Sequence, residues 1–101
     1  MKISDILQGV IEFDELSALL DSKSVFDAKN LKEDMLQVSY GKILLDVGWY
    51  PAFNPKGKFH IVAIKDFNWQ EPLISEYATP KNILEKIKKF EEIIIKSINE
   101  I

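Results

Sequence analysis

Gly41-Lys42-Ile43-Leu44-Leu45-Asp46-Val47-Gly48-Trp49-Tyr50-Pro51, answered by Lys58-Phe59-His60-Ile61-Val62-Ala63-Ile64-Lys65, decides how the rest of the chain is read. These are the two richest β-forming runs in the sequence. The Ala52-Phe53-Asn54-Pro55-Lys56-Gly57 segment between them is turn-rich and short enough for a hairpin. In the first run Ile43, Leu45, Val47 and Trp49 share one face, so Trp49 is expected in the core. Leu44, Asp46, Gly48 and Tyr50 occupy the other face. The second run is apolar on both faces, Phe59, Ile61 and Ala63 against His60, Val62 and Ile64. That suits a central strand covered at least in part on both sides.

Working outward, Met35-Leu36-Gln37-Val38-Ser39-Tyr40 alternates with period two and predicts a preceding strand. Gly41-Lys42 then makes a two-residue hairpin loop of type II′, where the first position needs a positive φ. Downstream, Asp66 to Pro72 reads as a loop and Leu73–Ala78 as a fourth strand. Pro72 and Glu76 place that strand at an edge. Thr79 and Pro80 predict an N-cap and first position for a helix running to about Asn99. Ile83, Ile87, Phe90, Ile94, Ile98 and Ile101 form its apolar stripe, widened by Leu84 and Ile95. Glu85–Lys89 and Glu92–Lys96 are favourable (i, i+4) pairs on the opposite face. Before the strands, Ser4–Gln8 predicts a short helix with Ile3, Ile6, Leu7 and Val10 on one face. Asp14–Leu20 predicts a second, capped by Asp14, with Phe13 placed to pack against a residue of the first full turn, such as Ala18. Asp21–Asp34 reads as a connector with one turn of helix. The expected architecture is α+β in a single domain, residues 1–101. It has N-terminal short helices, a four-stranded antiparallel meander and a long C-terminal helix packed on the sheet.

The chain has 101 residues, no cysteine and a net charge of −3. Disulfides and thiolate chemistry are therefore absent, which fits a reducing compartment. No apolar run approaches the roughly 18 residues of a membrane span. Met1–Asp5 lacks the apolar core of a signal peptide, so the expected location is the cytoplasm. Residues 1–46 hold nine acids against five lysines, a net −4, and residues 47–101 hold seven against eight, a net +1. Every basic residue is lysine. Without arginine the chain lacks the planar fork favoured for phosphate and base-edge recognition, and no direct nucleic-acid partner is expected.

Candidates for chemistry are few. His60 is the only histidine, on a strand with apolar neighbours, where a packed structural role is commoner than a catalytic one. Asp46 could lie near it across the hairpin. No Gly-x-Ser-x-Gly turn supplies a nucleophile, and the four glycines are too scattered for a phosphate loop. One histidine and unclustered carboxylates make a metal site unexpected, and no cofactor is implied. Glu33-Asp34 and Glu91-Glu92 read as solvated faces. Trp49, Tyr50, Phe53, Phe67 and Trp69 are more informative. They cluster in loops leaving opposite ends of the Lys58–Lys65 strand, and those left exposed would form a recognition surface.

At Leu45-Asp46-Val47-Gly48-Trp49-Tyr50-Pro51, then Gly57-Lys58-Phe59 with its apolar strand, then Trp69 and Pro72, the chain resembles small immunity proteins of bacterial polymorphic toxin systems. These include contact-dependent growth inhibition. The resemblance covers residues 41–90. It implies a cytosolic, non-enzymatic protein that binds one cognate toxin domain and blocks it. The excess acid in the first half makes a nuclease the expected toxin, because an acidic surface would suit its basic cleft. Tyr50, Phe53, Trp69, Glu12, Asp14, Glu15, Glu33 and Asp34 are the candidate partner-binding residues, with Asp21 and Asp27 as further acids of the same half. No membrane partner is expected, and the chain is expected to be a monomer or weak dimer. The alternative from a different class is a small enzyme or ligand-binding domain with a sheet pocket around His60, Asp46 and Tyr50.

Overall fold

A computed structural model of the chain describes residues 3–21 and 30–99. It is α+β. Five antiparallel strands lie in sequence order, β1 (Val10–Asp14), β2 (Leu36–Tyr40), β3 (Ile43–Tyr50), β4 (Lys58–Lys65) and β5 (Ile74–Ala78). A short helix α1 (Leu16–Asp21) links β1 to the segment before β2, and a long helix α2 (Ile83–Asn99) follows β5. The β3–β4 hairpin pairs without a break from Ile43↔Lys65 to Tyr50↔Lys58. Gly41 has φ 73, as the two-residue loop between β2 and β3 requires.

The alternation read from β3 and β4 divides the sheet as expected. Leu45, Val47, Trp49, Phe59, Ile61 and Ala63 share one buried cluster with Leu16 and Leu19 of α1 and Ile83, Ile87, Phe90 and Ile94 of α2. Both helices thus serve the same face. Trp49 is buried, its ring edge-on to Phe59 at 4.8 Å, and its Nε1 donates to the Asn54 carbonyl at 2.7 Å. Val62 and Ile64 on the other face are also buried but stand outside that cluster, which makes β4 apolar on both sides.

The N-terminal reading needs correcting. The first helix is only a 3-10 turn, Ile3–Asp5, and Val10–Ile11–Glu12–Phe13–Asp14 is a strand. The helical spacing of Ile3, Ile6, Leu7 and Val10 is broken in space: Ile3 and Leu7 enter the core while Val10 is 64% exposed. The strand was hidden because its period is interrupted. Ile11 pairs with Val38 and Phe13 with Gln37, leaving Glu12 as the extra residue of a bulge. Asp14 does cap the following helix, accepting from the Ser17 N–H at 2.9 Å and from its hydroxyl at 2.5 Å. Phe13 is the penultimate residue of β1. The connector reading of 21–34 lies largely outside the described residues.

Two further expectations shift. The ladder of α2 opens at Asn82, whose carbonyl accepts from Lys86 N–H at 3.0 Å, three residues later than Thr79. The Asn82 side-chain oxygen reaches back to the Thr79 N–H at 2.8 Å and holds the segment before the helix as a turn. Glu91 is no solvated carboxylate. It is 7% exposed and accepts both the Tyr40 hydroxyl (2.5 Å) and the Gln8 N–H (2.8 Å), tying α2 to β2 and the N-terminal segment. Burial, with Glu91 alongside, pushes the Tyr40 hydroxyl far above the usual phenol range.

Candidate functional site

The C-terminal end of β3 and its neighbours bring together most of the residues picked out above. Phe53 follows β3 in the 51–57 turn with φ 61 and is 59% exposed. Its N–H donates to the Leu31 carbonyl at 2.7 Å, and Trp49 N–H donates to the Lys32 carbonyl at 2.8 Å. These two bonds lay the 31–34 segment beside the end of β3. Met35 N–H then returns to the Val47 carbonyl at 2.9 Å, so Glu33 and Asp34 bulge out between two anchored points. Gly48 makes room for that bulge. A Cβ there would lie 1.8 Å from the Glu33 carbonyl oxygen and 3.0 Å from the Tyr50 ring.

Phe13, Glu15, Lys32, Glu33, Asp34, Ala52 and Phe53 consequently line one surface depression of about 390 Å³. Glu15 pairs with Lys32 at 3.1 Å, which leaves Glu33 and Asp34 as the net charge of that depression. Beside it three rings cross adjacent strands on the sheet face away from α2. Tyr50 stands edge-on to His60 at 6.0 Å, and His60 stacks on Tyr77 at 4.8 Å with planes 23° apart. Tyr50 and Tyr77 are exposed. Burial first, then the charges of Asp46, Glu33 and Asp34, hold the Tyr50 hydroxyl above its ordinary value.

The groups of the catalytic alternative, His60, Asp46 and Tyr50, lie on this same face, and two of them have further hydrogen-bond partners. His60 Nε2 is 2.7 Å from Ser75 Oγ, and Asp46 accepts from Gln37 Nε2 at 2.9 Å. Burial lifts the Asp46 carboxyl above the usual range, opposed by the Gln37 bond and the nearby His60 and reinforced by Asp34. The described depressions at Phe53, at Phe67 and at Leu73 are not lined by His60. Among the described residues no group of three or more His, Cys, Asp or Glu could hold a metal ion, and no helix is long and apolar enough to cross a membrane.

Three of the candidate partner residues fall apart from this corner. Trp69, 51% exposed, sits in the 66–73 loop at the other end of β4, next to Phe67, which is 79% exposed with φ 59. Glu12 lines a separate depression of about 370 Å³ with Gln37, Ser39, Leu44 and Phe67. Asp14 is committed to Ser17. The Asp21 side chain and Asp27 lie outside the described residues. The sequence reading missed Tyr77 and Phe13 as members of the exposed aromatic set. The period-two pattern of β5 carried the signal for Tyr77, since it places Tyr77 on the face opposite buried Ala78. Comparison of the chain with protein-family models, curated proteins and solved structures finds no match.

Proposed function

We propose that the chain is an immunity protein that binds a cognate secreted toxin domain, a nuclease, and neutralises it without catalysis. The observation that carries this reading is the corner just described. Tyr50, Phe53, Phe13 and Tyr77 present exposed aromatic surface, and Glu33 and Asp34 add negative charge beside it. Aromatic anchors beside charge are the composition of a protein-binding hot spot. A nuclease cleft is basic because it holds phosphate, and an acidic patch would meet it with complementary charge and speed encounter. The resemblance over residues 41–90 spans β3, β4, β5 and the start of α2, and so includes Tyr50 and Phe53 of this corner.

The test is protection. If a large toxin gene lies immediately upstream, its toxin domain is expressed with and without this chain. The reading expects restored growth and a 1:1 complex on gel filtration. Unrelieved toxicity with both proteins soluble and no complex would overturn it.

A further inference from the structure

We propose that the partner reaches this corner with an arginine, its guanidinium lying on the exposed Tyr50 ring with the Glu33 and Asp34 carboxylates beside it. The inference rests on the corner being the partner surface. Its geometry is preset from two sides. The Glu33 carbonyl carbon and Tyr50 Cε2 both lie within 3.0 Å of the same point above Gly48, so the acidic bulge abuts the ring. The ring in turn belongs to a fixed row, because its neighbour His60 is held by Ser75 Oγ and stacked on Tyr77, both of β5. A flat, partly exposed ring with carboxylates at its rim matches a flat cation that stacks and donates in a fork. Lysine would satisfy the charge but not the stacking.

Charge complementarity argues against other occupants. Glu33, Asp34 and Asp46 around Tyr50 repel the phosphates of a nucleic acid stacking on the rings. A second copy of the chain cannot supply the group, because the sequence contains no arginine. Lys58, paired with Tyr50 across the hairpin, stands at the rim and limits the acidic area to the side of the 31–34 segment.

Two-dimensional ¹H–¹⁵N spectra of the full chain, titrated with tri-arginine, tri-lysine, tri-glutamate and a uridine hexanucleotide, test this without the toxin. Tri-arginine is expected to move the amides of Glu33, Asp34, Tyr50 and Phe53, and to bind about two- to five-fold tighter than tri-lysine. Tri-glutamate and the oligonucleotide are expected to move none of these amides. Tyr50→Leu should equalise the two cationic peptides, while Glu33→Gln with Asp34→Asn should weaken both. The same spectra report whether each variant is folded. Equal affinity for the two cationic peptides in the wild type, shifts confined to another surface, or oligonucleotide binding on the rings would each overturn the proposal. Protection from the toxin without arginine preference would sink this inference alone. Arginine preference without protection would sink the immunity reading alone.

Discussion

Gly48 decides whether the acidic bulge can exist. Any side chain there meets the Glu33 backbone, which hydrogen bonds at Lys32 and Met35 hold in place. Gly48→Ala is therefore expected to destabilise by about 1–3 kcal/mol through overpacking. Urea denaturation checks it, and a loss below about 0.5 kcal/mol would mean the segment yields freely. Asp46 makes the opposite case. Burial raises its folded pKa above the unfolded value of about 3.9. Between those two values the folded state binds more protons, so stability falls as pH rises through that window, and the penalty is complete above it. Asp46→Asn keeps an oxygen for Gln37 and removes the charge. The variant should be more stable than wild type at pH 7, with the advantage shrinking towards pH 4 and gone below the unfolded pKa. A variant less stable at pH 7 would show that the carboxylate is stabilised rather than penalised. At this scale Tyr50 and Phe53 were legible as exposed aromatics beside turns. The Ser75 partner of His60 was not, because Ser75 stands opposite Val62 and reaches His60 only on the diagonal, which no pattern within β4 shows.

Strands with an unbroken period were read correctly, and the one with a bulge was lost. β2, β3, β4 and β5 differ from expectation by at most one residue. β1 is a short edge strand with two acids and an extra residue at Glu12, features that blunt an edge against pairing and also erase its signature. The other edge, β5, is guarded from a distance. Lys86 of α2 donates to the Tyr77 carbonyl at 3.0 Å, and both Lys86 and Lys89 pair with Glu76. The sequence reading had paired Lys89 with Glu85 along the helix, because spacing within one element is visible where a contact between elements is not. The stripe of α2 holds from Ile83 through Ile94, with Ile98 partly exposed past the core. Phe90 is fully buried at its middle. Phe90→Ala should cost about 3–5 kcal/mol. Chemical denaturation decides it, and a loss under about 1 kcal/mol would mean α2 is not held to the sheet by that face.

Across the whole molecule the two aromatic loops lie at opposite ends of β4, on a body 44 Å long. A partner interface of standard size covers about 800 Å² on each side. That is a small fraction of the 6518 Å² surface, so one corner can hold it. The sequence showed acidity concentrated in the first half but not that Glu33 and Asp34 would meet Tyr50 and Phe53. That meeting depends on the backbone bonds of Leu31, Lys32 and Met35 to the end of β3 and the turn after it. Glu12 and Asp14 share the composition and go elsewhere. Rim charges act mainly on association, and at physiological salt the screening length is about 8 Å, so only clustered acids steer. The decisive measurement is the association rate with whichever toxin domain the chain is found to protect against, at low and high salt, for wild type and Glu33→Lys with Asp34→Lys. The double variant should associate several-fold more slowly at low salt, and the gap should close at high salt. Equal rates at both salts, with both proteins folded, would contradict the assignment of this corner as the surface that meets the toxin.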